Sequence, residues 1–383
     1  MTTNEFRVEF PEADLTDLRN RLAHTRWPEA ETVSDWTQGV PLSYQRELCE
    51  YWANEYDMHR VERMLNAYPQ FRVEIDGIAI HYLHIRSPHA DATPLILTHG
   101  WPGSVVEFTK VIGPLTDPTS HGGLAADAFH LVIPSLPGYG WSDKPAVSGW
   151  KIPKIAQAWA RLMAGLGYGR YAAAGIDWGA ILTSSLGQQD LEHLIGIHLT
   201  TAIASPDAIF GVADPTPVEQ QDMAQLMHYA AQENGYNLIQ QTRPQTLGYG
   251  LADSPAGQCA WIVEKFMAWS DCDGHPETVF TRDDLLDNVM TYWMTNAATS
   301  SAKLYWNAMA DVHTALDPVT APTGYSVFPT DIYRVSERVA ATRFSDIRHY
   351  NRLEKGGHFA AFERPDLYVD EIRTTFGTIA GRA

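Results

Sequence analysis

Cysteine is scarce in this chain of 383 residues, which contains only Cys49, Cys259 and Cys272. The three are an odd number, lie far apart and form no CxxC pair. A disulfide framework needs paired cysteines, and a zinc site needs closely spaced ligands, so neither is indicated. We interpret all three cysteines as packing residues.

Long apolar runs are also missing. The first residues, MTTNEFRVEFPEADLTDL, carry charges throughout, and no later run approaches the length of a membrane span. Basic residues are few, with 28 Lys and Arg against 46 Asp and Glu, for a net charge of −18. This balance argues against binding nucleic acid or an anionic membrane through bulk charge. The sequence therefore predicts a cytoplasmic protein without a membrane anchor.

The 15 histidines are not spaced as metal ligands usually are. The nearest approach to such spacing is His81 and His84 in the segment IHYLHIR. That segment has the sequence pattern of a β-strand, in which residues three apart have their side chains on opposite faces. We therefore expect no metal site.

The pattern along the chain predicts an α/β fold. Residues 1 to about 70 show helical periodicity, and FRVEI-DG-IAIHYLHIR then reads as a hairpin. The short apolar runs PLILTHG, FHLVIPSLPG, RYAAAGID and LIGIHLTT are separated by helical segments, which is typical of buried parallel strands. Residues from about 203 to 316 show helical periodicity. Strand-like sequence resumes at GYSVFPTD and DIRHYNRLEKGGHF, and a terminal helix follows. We predict a helical N-terminal arm with the first hairpin (1–90), a first core part (91–202), a helical cap (203–316) and a second core part (317–383).

The segment GIDWGA, residues 175–180, has the form of a nucleophile elbow with Asp177 at its centre. Such an elbow holds its central residue in a strained turn between a strand and a helix, so its neighbours must be small. The strand-like YAAA before it and the helical AILTSSLGQQ after it fit this context. A G-x-D-x-G match alone is weak, because a plain turn has the same composition.

Two further residues complete a catalytic triad in the required order. In the α/β-hydrolase arrangement the nucleophile is followed by an acid and then by a histidine. VFPTD offers Asp331 at the end of a predicted strand, and EKGGHFAAFERP offers His358 in a glycine-rich loop. Either could instead terminate a strand or cap a helix, but their joint order and placement favour the triad.

The segment HGWPGS, residues 99–104, follows another predicted strand. A loop at this place supplies one backbone N–H to an oxyanion, and the residue after the nucleophile supplies the second. These donors would be Trp101 and Trp178. The alternative is a tight turn with His99 packed beneath it.

HGWPGS, GIDWGA and GGHFAAFERP together resemble the epoxide hydrolases of the microsomal type, whose relatives are the fungal soluble and the insect juvenile-hormone enzymes. The resemblance covers nearly the whole chain, because TRWPE, GVPLSYQRELCEYW and YPQFRVEIDG in the arm are similar to the N-terminal domain of that family. It implies an α/β-hydrolase fold with a mostly parallel sheet, a small epoxide substrate and no cofactor. The aromatic content of 11%, with 12 tryptophans, permits an apolar pocket that accepts an aryl group. The mammalian members have a membrane anchor and a Glu in the relay, whereas this chain has Asp331.

The resemblance also implies two cap tyrosines that hold the epoxide oxygen. GYNLIQQTRPQT matches the segment of the first, which would be Tyr236, and SSAKLYWN matches that of the second, Tyr305. The second match departs from the commoner SSxRLYxE pattern at Lys303 and Asn307. On this hypothesis Asp177 forms a hydroxyalkyl ester, and water activated by His358 and Asp331 hydrolyses it to a vicinal diol.

Two other classes compete with this interpretation. A haloalkane or haloacid dehalogenase shares the Asp nucleophile and the His base, but halide leaves without a proton and has no need for paired tyrosines. A non-catalytic receptor of the same fold typically lacks a member of the constellation, and none is missing here. The sequence leaves the assembly state open, a homodimer included.

Overall fold

One nine-stranded sheet runs through the described residues, 3–314 and 316–382, of the computed structural model. Its strands follow the chain as β1 Thr3–Phe6, β2 Gln70–Ile75, β3 Ile78–Ile85, β4 Thr93–Thr98, β5 Phe129–Pro134, β6 Tyr171–Gly175, β7 Leu194–Leu199, β8 Thr323–Val327 and β9 Ile347–Arg352. In space they lie in the order β1-β2-β3-β5-β4-β6-β7-β8-β9.

The strands from β4 to β9 pair in parallel, and the first three are antiparallel. The predicted parallel strands are confirmed. All five residues of β6 are buried, as expected for an interior strand of a parallel sheet. Because the carboxyl ends of parallel strands meet at one edge, the loops after β4, β6, β8 and β9 lie together there.

The predicted hairpin is confirmed, and the arm before it contains a strand that the sequence analysis missed. β2 and β3 pair across a turn in which Asp76 and Gly77 have φ angles of 52° and 80°. Two residues at positive φ are what a tight type I′ hairpin turn requires. The arm is not wholly helical, because β1 pairs antiparallel with β2 at the edge of the sheet. The segment TNEF is exposed at three of its four positions, so no apolar alternation marks it as a strand.

Helices of the arm and the core surround the sheet. They are α1 Glu12–Ala23, α2 Leu42–Asn54, α3 Arg60–Asn66, α4 Thr109–Thr116, α5 Ile152–Gly165, α6 Trp178–Gln189, α14 Glu337–Ala340, α15 Ala360–Glu363 and α16 Pro365–Ile379. The last of these is the terminal helix that the sequence predicts. α5 shows why such segments form helices: its buried residues recur at three- and four-residue steps along one face.

A block of helices lies between β7 and β8, where the sequence predicts an inserted cap. It comprises α7 Pro206–Phe210, α8 Pro217–His228, α9 Gly235–Thr242, α10 Pro244–Asp253, α11 Pro255–Ala268, α12 Arg282–Trp293 and α13 Ala298–Thr314. A short π-helix, Tyr229–Glu233, joins α8 to α9. Capping boxes at Thr216 and Thr281 begin α8 and α12. The unit boundaries at 90, 202 and 316 stay predictions, and Met1, Thr2, Ala315 and Ala383 lie outside the described residues.

The N-terminal arm is bonded to cap helix α12. The Tyr56 hydroxyl donates to Asp287 Oδ1 at 2.8 Å, and Arg60 Nε donates to Asp287 Oδ2 at 2.9 Å. The indole N–H of Trp52 contacts the sulfur of Met290 at 3.3 Å. The arm therefore fixes α12 by buried polar contacts as well as by packing.

α12 in turn holds the loop after β4. Asn288 Nδ2 donates to the carbonyl of Pro102 at 2.7 Å, and the Tyr292 hydroxyl donates to the carbonyl of Gly103 at 2.7 Å. Ser104 Oγ donates to Asn288 Oδ1 at 2.8 Å. The loop that carries Trp101 is therefore positioned from the arm and the cap together.

The three cysteines are all buried, in agreement with their interpretation as packing residues. Among residues 3–314 and 316–382, none of the helices combines the length and apolar character needed to span a bilayer.

Candidate active site

Asp177 occupies the turn between β6 and α6, as the elbow pattern predicts. Its backbone has φ 54° and ψ −124°, a conformation that non-glycine residues rarely adopt. The neighbouring glycines are needed for space: a Cβ on Gly175 would lie 2.1 Å from the carbonyl oxygen of Gly179, and one on Gly179 would lie 1.9 Å from that of Thr98. The tight turn projects the Asp177 carboxylate beyond the carboxyl edge of the sheet.

One of the two predicted backbone donors contacts this carboxylate. The N–H of Trp101 donates to Asp177 Oδ1 at 2.8 Å. A Cβ on Gly100 would lie 2.1 Å from the same oxygen, so the loop after β4 can approach only because residue 100 is glycine. Trp178 begins α6, and within the described residues its N–H makes no hydrogen bond to the carboxylate. Its role as the second oxyanion donor stays a prediction.

His358 lies between Asp331 and Asp177. Its Nδ1 is 2.7 Å from Asp331 Oδ1, and its Nε2 is 3.4 Å from Asp177 Oδ2. Asp331 is itself oriented, because the N–H of Ile332 donates to Oδ1 at 2.7 Å and the Thr201 hydroxyl donates to Oδ2 at 3.3 Å. The structure thus brings the three triad candidates together from three different loops.

The charge state of His358 follows from these neighbours. Burial alone would lower the pKa of its imidazole, but the charge of Asp331, its hydrogen bond to Nδ1 and the nearby Asp177 outweigh burial and raise that pKa to about 10. At neutral pH the ring is therefore an imidazolium held between two carboxylates.

Tyr236 in α9 and Tyr305 in α13 face this centre from the cap. Tyr236 stacks on the indole of Trp101 with ring centroids 4.8 Å apart, and Tyr305 meets the ring of Trp178 edge-on at 4.9 Å. Their own ring centroids are 5.9 Å apart. Burial raises the pKa of each phenol well above its usual value, so both carry their proton at neutral pH.

A cavity of about 230 Å³ contains the carboxylate of Asp177, His358 and both tyrosines. Most of the remaining wall is apolar and includes Ile181, Ile203, Ile209, Leu226, Met309 and Ile332. A groove of about 820 Å³ near Lys144 and Trp306 is larger, but none of the predicted site residues is among those that line it. We place the chemistry in the smaller cavity, because the titratable groups converge there.

Several residues near the centre were missed by the sequence analysis. Tyr229 lines the cavity, and its hydroxyl lies 2.8 Å from that of Tyr236. The buried ammonium of Lys265 lies 4.8 Å from the centroid of the Tyr236 ring. Burial raises the pKa of Glu107, which lies beside the loop after β4, to about 8. No motif marks these three residues. The position of Glu107 shortly after HGWPGS nevertheless indicates that it lies near the site.

Other polar residues nearby serve the structure. His99 is buried beneath its loop: its Nδ1 lies 2.9 Å from the carbonyl of Gly100, and its Nε2 accepts from the N–H of Leu136 at 3.2 Å. Burial lowers the pKa of His99 to about 4, so the ring is neutral. His81 and His84 bond to Ser135 and Tyr168, respectively. Across the described ranges, no group of three or more His, Cys, Asp or Glu side chains is arranged to hold a metal ion.

Comparison with known proteins identifies the family. Residues 3–108 match the family profile described as epoxide hydrolase N terminus, and residues 93–248 match that of the alpha/beta hydrolase fold. A Stigmatella aurantiaca protein with epoxide hydrolase in its name is 49% identical over 97% of this chain and 84% of its own length. The chain belongs to the epoxide hydrolase family.

Two further comparisons extend this similarity to animal enzymes. Epoxide hydrolase 1 of Sus scrofa is 32% identical to this epoxide hydrolase over 98% of the chain and 88% of its own length. The crystal structure of juvenile hormone epoxide hydrolase from the silkworm Bombyx mori matches with a TM-score of 0.92 at 30% identity, covering 99% of this chain and 95% of that one. The predicted family and the predicted α/β-hydrolase fold are therefore confirmed.

Proposed function

We propose that this enzyme opens an epoxide by direct attack of Asp177, and that the resulting ester is hydrolysed to a vicinal diol. The observation that supports this is the convergence of the Asp177 carboxylate, the His358 imidazole and two phenols in one cavity. A carboxylate suits the reaction because the epoxide carbon is saturated and must be displaced in line, which an ionised Asp can do without a base.

Tyr236 and Tyr305 would donate to the ring oxygen as the carbon–oxygen bond breaks. The oxygen would otherwise leave as an alkoxide, so a proton donor stabilises the transition state. Both phenols hold their protons because burial raises the pKa of each. A halide leaving group would need no such proton, so this pair favours the epoxide over a haloalkane as substrate.

The protons balance if His358 begins the cycle as an imidazolium. Asp177 forms a bond to carbon, and the ring oxygen takes a proton from a tyrosine, which leaves a phenolate. Since the pKa of the buried phenols lies well above its usual value, the phenolate regains its proton from the imidazolium, whose pKa is about 10. His358 then becomes neutral, which is the state that a general base requires.

Hydrolysis of the ester would use this neutral imidazole. His358 takes a proton from water, and the hydroxide attacks the Asp177 carbonyl while the N–H of Trp101 stabilises the oxyanion. The bond between the ester carbonyl carbon and the diol oxygen breaks, and that oxygen takes the proton of the added hydroxyl. The diol leaves, and Asp177 is again a carboxylate beside an imidazolium. Trp178 would supply the second donor if the oxyanion moves towards the start of α6.

The cavity supports a proposal on the substrate class. Its volume of about 230 Å³ and its apolar wall suit a small apolar epoxide, and the rings of Tyr229, Tyr236 and Tyr305 suit an aryl group. The cytoplasmic location expected from the sequence stays a prediction.

Trapping the ester tests this function. His358→Gln should form the ester but not hydrolyse it, because alkylation needs no base, so its mass should rise by that of one styrene oxide molecule. Asp177→Asn is the matched control and should gain no mass. An unmodified His358→Gln protein, or rapid turnover by that variant, would contradict the proposal.

A further inference from the structure

The two cap tyrosines, Tyr236 and Tyr305, differ in the side chains that contact them. The hydroxyl of Tyr236 is 2.8 Å from the hydroxyl of a third phenol, Tyr229, which lines the same cavity. Tyr305 instead packs nearly perpendicular to the rings of Trp178 and Trp101, with centroids 4.9 and 5.9 Å away. A donor with a second hydroxyl behind it can pass charge along the hydrogen bond.

The position of Tyr229 depends on an irregular turn in the cap. It is the first residue of the π-helix Tyr229–Glu233, which joins α8 to α9. The extra residue in such a turn changes the direction of the side chains that follow, and π-helical turns are common at functional sites. Here the turn brings Tyr229 into contact with Tyr236, seven residues later.

A buried cation lies beside the same tyrosine. The ammonium of Lys265 in α11 is 4.8 Å from the centroid of the Tyr236 ring and 5.5 Å from that of Trp269. Lys265 is only 5% exposed, and its ammonium pairs with Glu264 Oε2 at 2.5 Å. Burial of an ammonium costs desolvation free energy, and the contacts of Lys265 with two aromatic faces offset part of that cost.

Both neighbours would act on the same charge. A phenol that gives up its proton in this largely apolar cavity bears a negative charge that burial disfavours. When the Tyr229 hydroxyl is the donor, its hydrogen bond stabilises that charge, and the Lys265 ammonium adds the part of its field that Glu264 does not offset. The same two groups contribute less to a phenol that only donates a hydrogen bond and keeps its proton.

We propose that Tyr229 and Lys265 are positioning residues for ring opening, which make Tyr236, rather than Tyr305, the phenol that transfers its proton to the epoxide oxygen. This rests on the proposed function. In the step, the carbon–oxygen bond of the epoxide breaks, Asp177 bonds to carbon, and the Tyr236 proton moves to the ring oxygen. The Tyr236 phenolate then accepts a hydrogen bond from Tyr229 until it is reprotonated.

The test measures the rate of ester formation in the His358→Gln background, with excess enzyme, styrene oxide as substrate and intact-protein mass as the readout. Tyr229→Phe and Lys265→Met should each slow this step about tenfold or more, a part of the roughly 10²- to 10⁴-fold effect of a positioned general acid. Lys265→Arg retains the charge and should restore the rate to within about threefold.

Two matched variants control for general damage. Lys110 has its ammonium 4.2 Å from the ring of Phe362 and 3.1 Å from Asp284, and Tyr171 donates from its hydroxyl to Asp190 at 2.6 Å. Neither residue lines the cavity. Lys110→Met and Tyr171→Phe should leave the rate of ester formation unchanged.

A double-mutant cycle separates positioning from a structural role. If Tyr229 acts through Tyr236, Tyr229→Phe should have its full effect in a Tyr305→Phe background and almost none in a Tyr236→Phe background. Equal slowing in both backgrounds, or rates for Tyr229→Phe and Lys265→Met that equal the parent rate, would overturn this proposal while ester still forms. If His358→Gln itself forms no ester, the proposed function fails instead.

Discussion

Nε2 of His358 lies 3.4 Å from Oδ2 of Asp177, so the imidazole faces the carboxylate that the proposed reaction converts to an ester. This separation is long for a hydrogen bond. Nδ1 of the same ring is held at 2.7 Å by Asp331. The ring is therefore fixed on one side and directed at the reacting group on the other.

The first prediction concerns the charge of His358. Because Asp331 and Asp177 raise the pKa of its imidazole to about 10, the ring should stay charged through neutral pH in the free enzyme. Asp177→Asn removes one of these carboxylates and should lower that pKa by about one unit or more. NMR of histidine labelled with ¹³C at Cε1 measures both titrations. A His358 that titrates near its ordinary value of 6.5 in the unmodified enzyme would contradict the proton balance.

The second prediction concerns the close approach of the loop after β4 to the Asp177 carboxylate. Since a Cβ on Gly100 would lie 2.1 Å from Asp177 Oδ1, Gly100→Ala should displace the carboxylate or the Trp101 N–H. We expect kcat/KM for styrene oxide to fall about 100-fold, as for other small displacements of reacting groups. Gly377→Ala in α16 is the control, because its Cβ would meet nothing within 4 Å. Unchanged activity of Gly100→Ala would rule out this steric account.

The third prediction concerns Glu107 and the pH dependence of stability. Burial raises the pKa of its carboxyl from 4.5 to about 8, so between these values the folded state holds a proton that the unfolded state releases. The free energy of unfolding should therefore fall as pH rises through this window, by about 1.4 kcal/mol for each pKa unit. Glu107→Gln removes this contribution.

Denaturant unfolding at about pH 5.5 and 8.5 tests this sign. The stability of Glu107→Gln relative to the unmodified enzyme should increase by about 2 kcal/mol or more between the lower and the higher pH. A relative stability that is constant, or that decreases with pH, would show that Glu107 is ionised in the folded protein.

The residues that could be predicted from the sequence are those whose role requires a particular local backbone structure. Asp177 needs an elbow with small neighbours, and Asp331 and His358 follow strands in a fixed order, so their local sequences mark them. Apolar runs such as that of β6 predict buried parallel strands for the same reason. The two tyrosines were found only by resemblance, because most tyrosines are packing residues.

The remaining parts depend on long-range packing. Tyr229 meets Tyr236 through a π-helical turn, and Lys265 reaches the same ring from α11, which no local periodicity reveals. β1 is mostly exposed and forms because β2 offers it an open edge. Such features depend on which elements become neighbours, and a single sequence does not give those distances.

The most direct test of the central claim is one turnover with excess enzyme and styrene oxide in ¹⁸O-labelled water, followed by mass spectrometry of the diol and of the peptide that contains Asp177. If Asp177 forms the ester, the first diol should be unlabelled, and the label should enter the Asp177 carboxylate when water attacks the ester carbonyl. A labelled diol with an unlabelled Asp177 peptide would mean that water attacks the epoxide directly, and it would contradict the ester route.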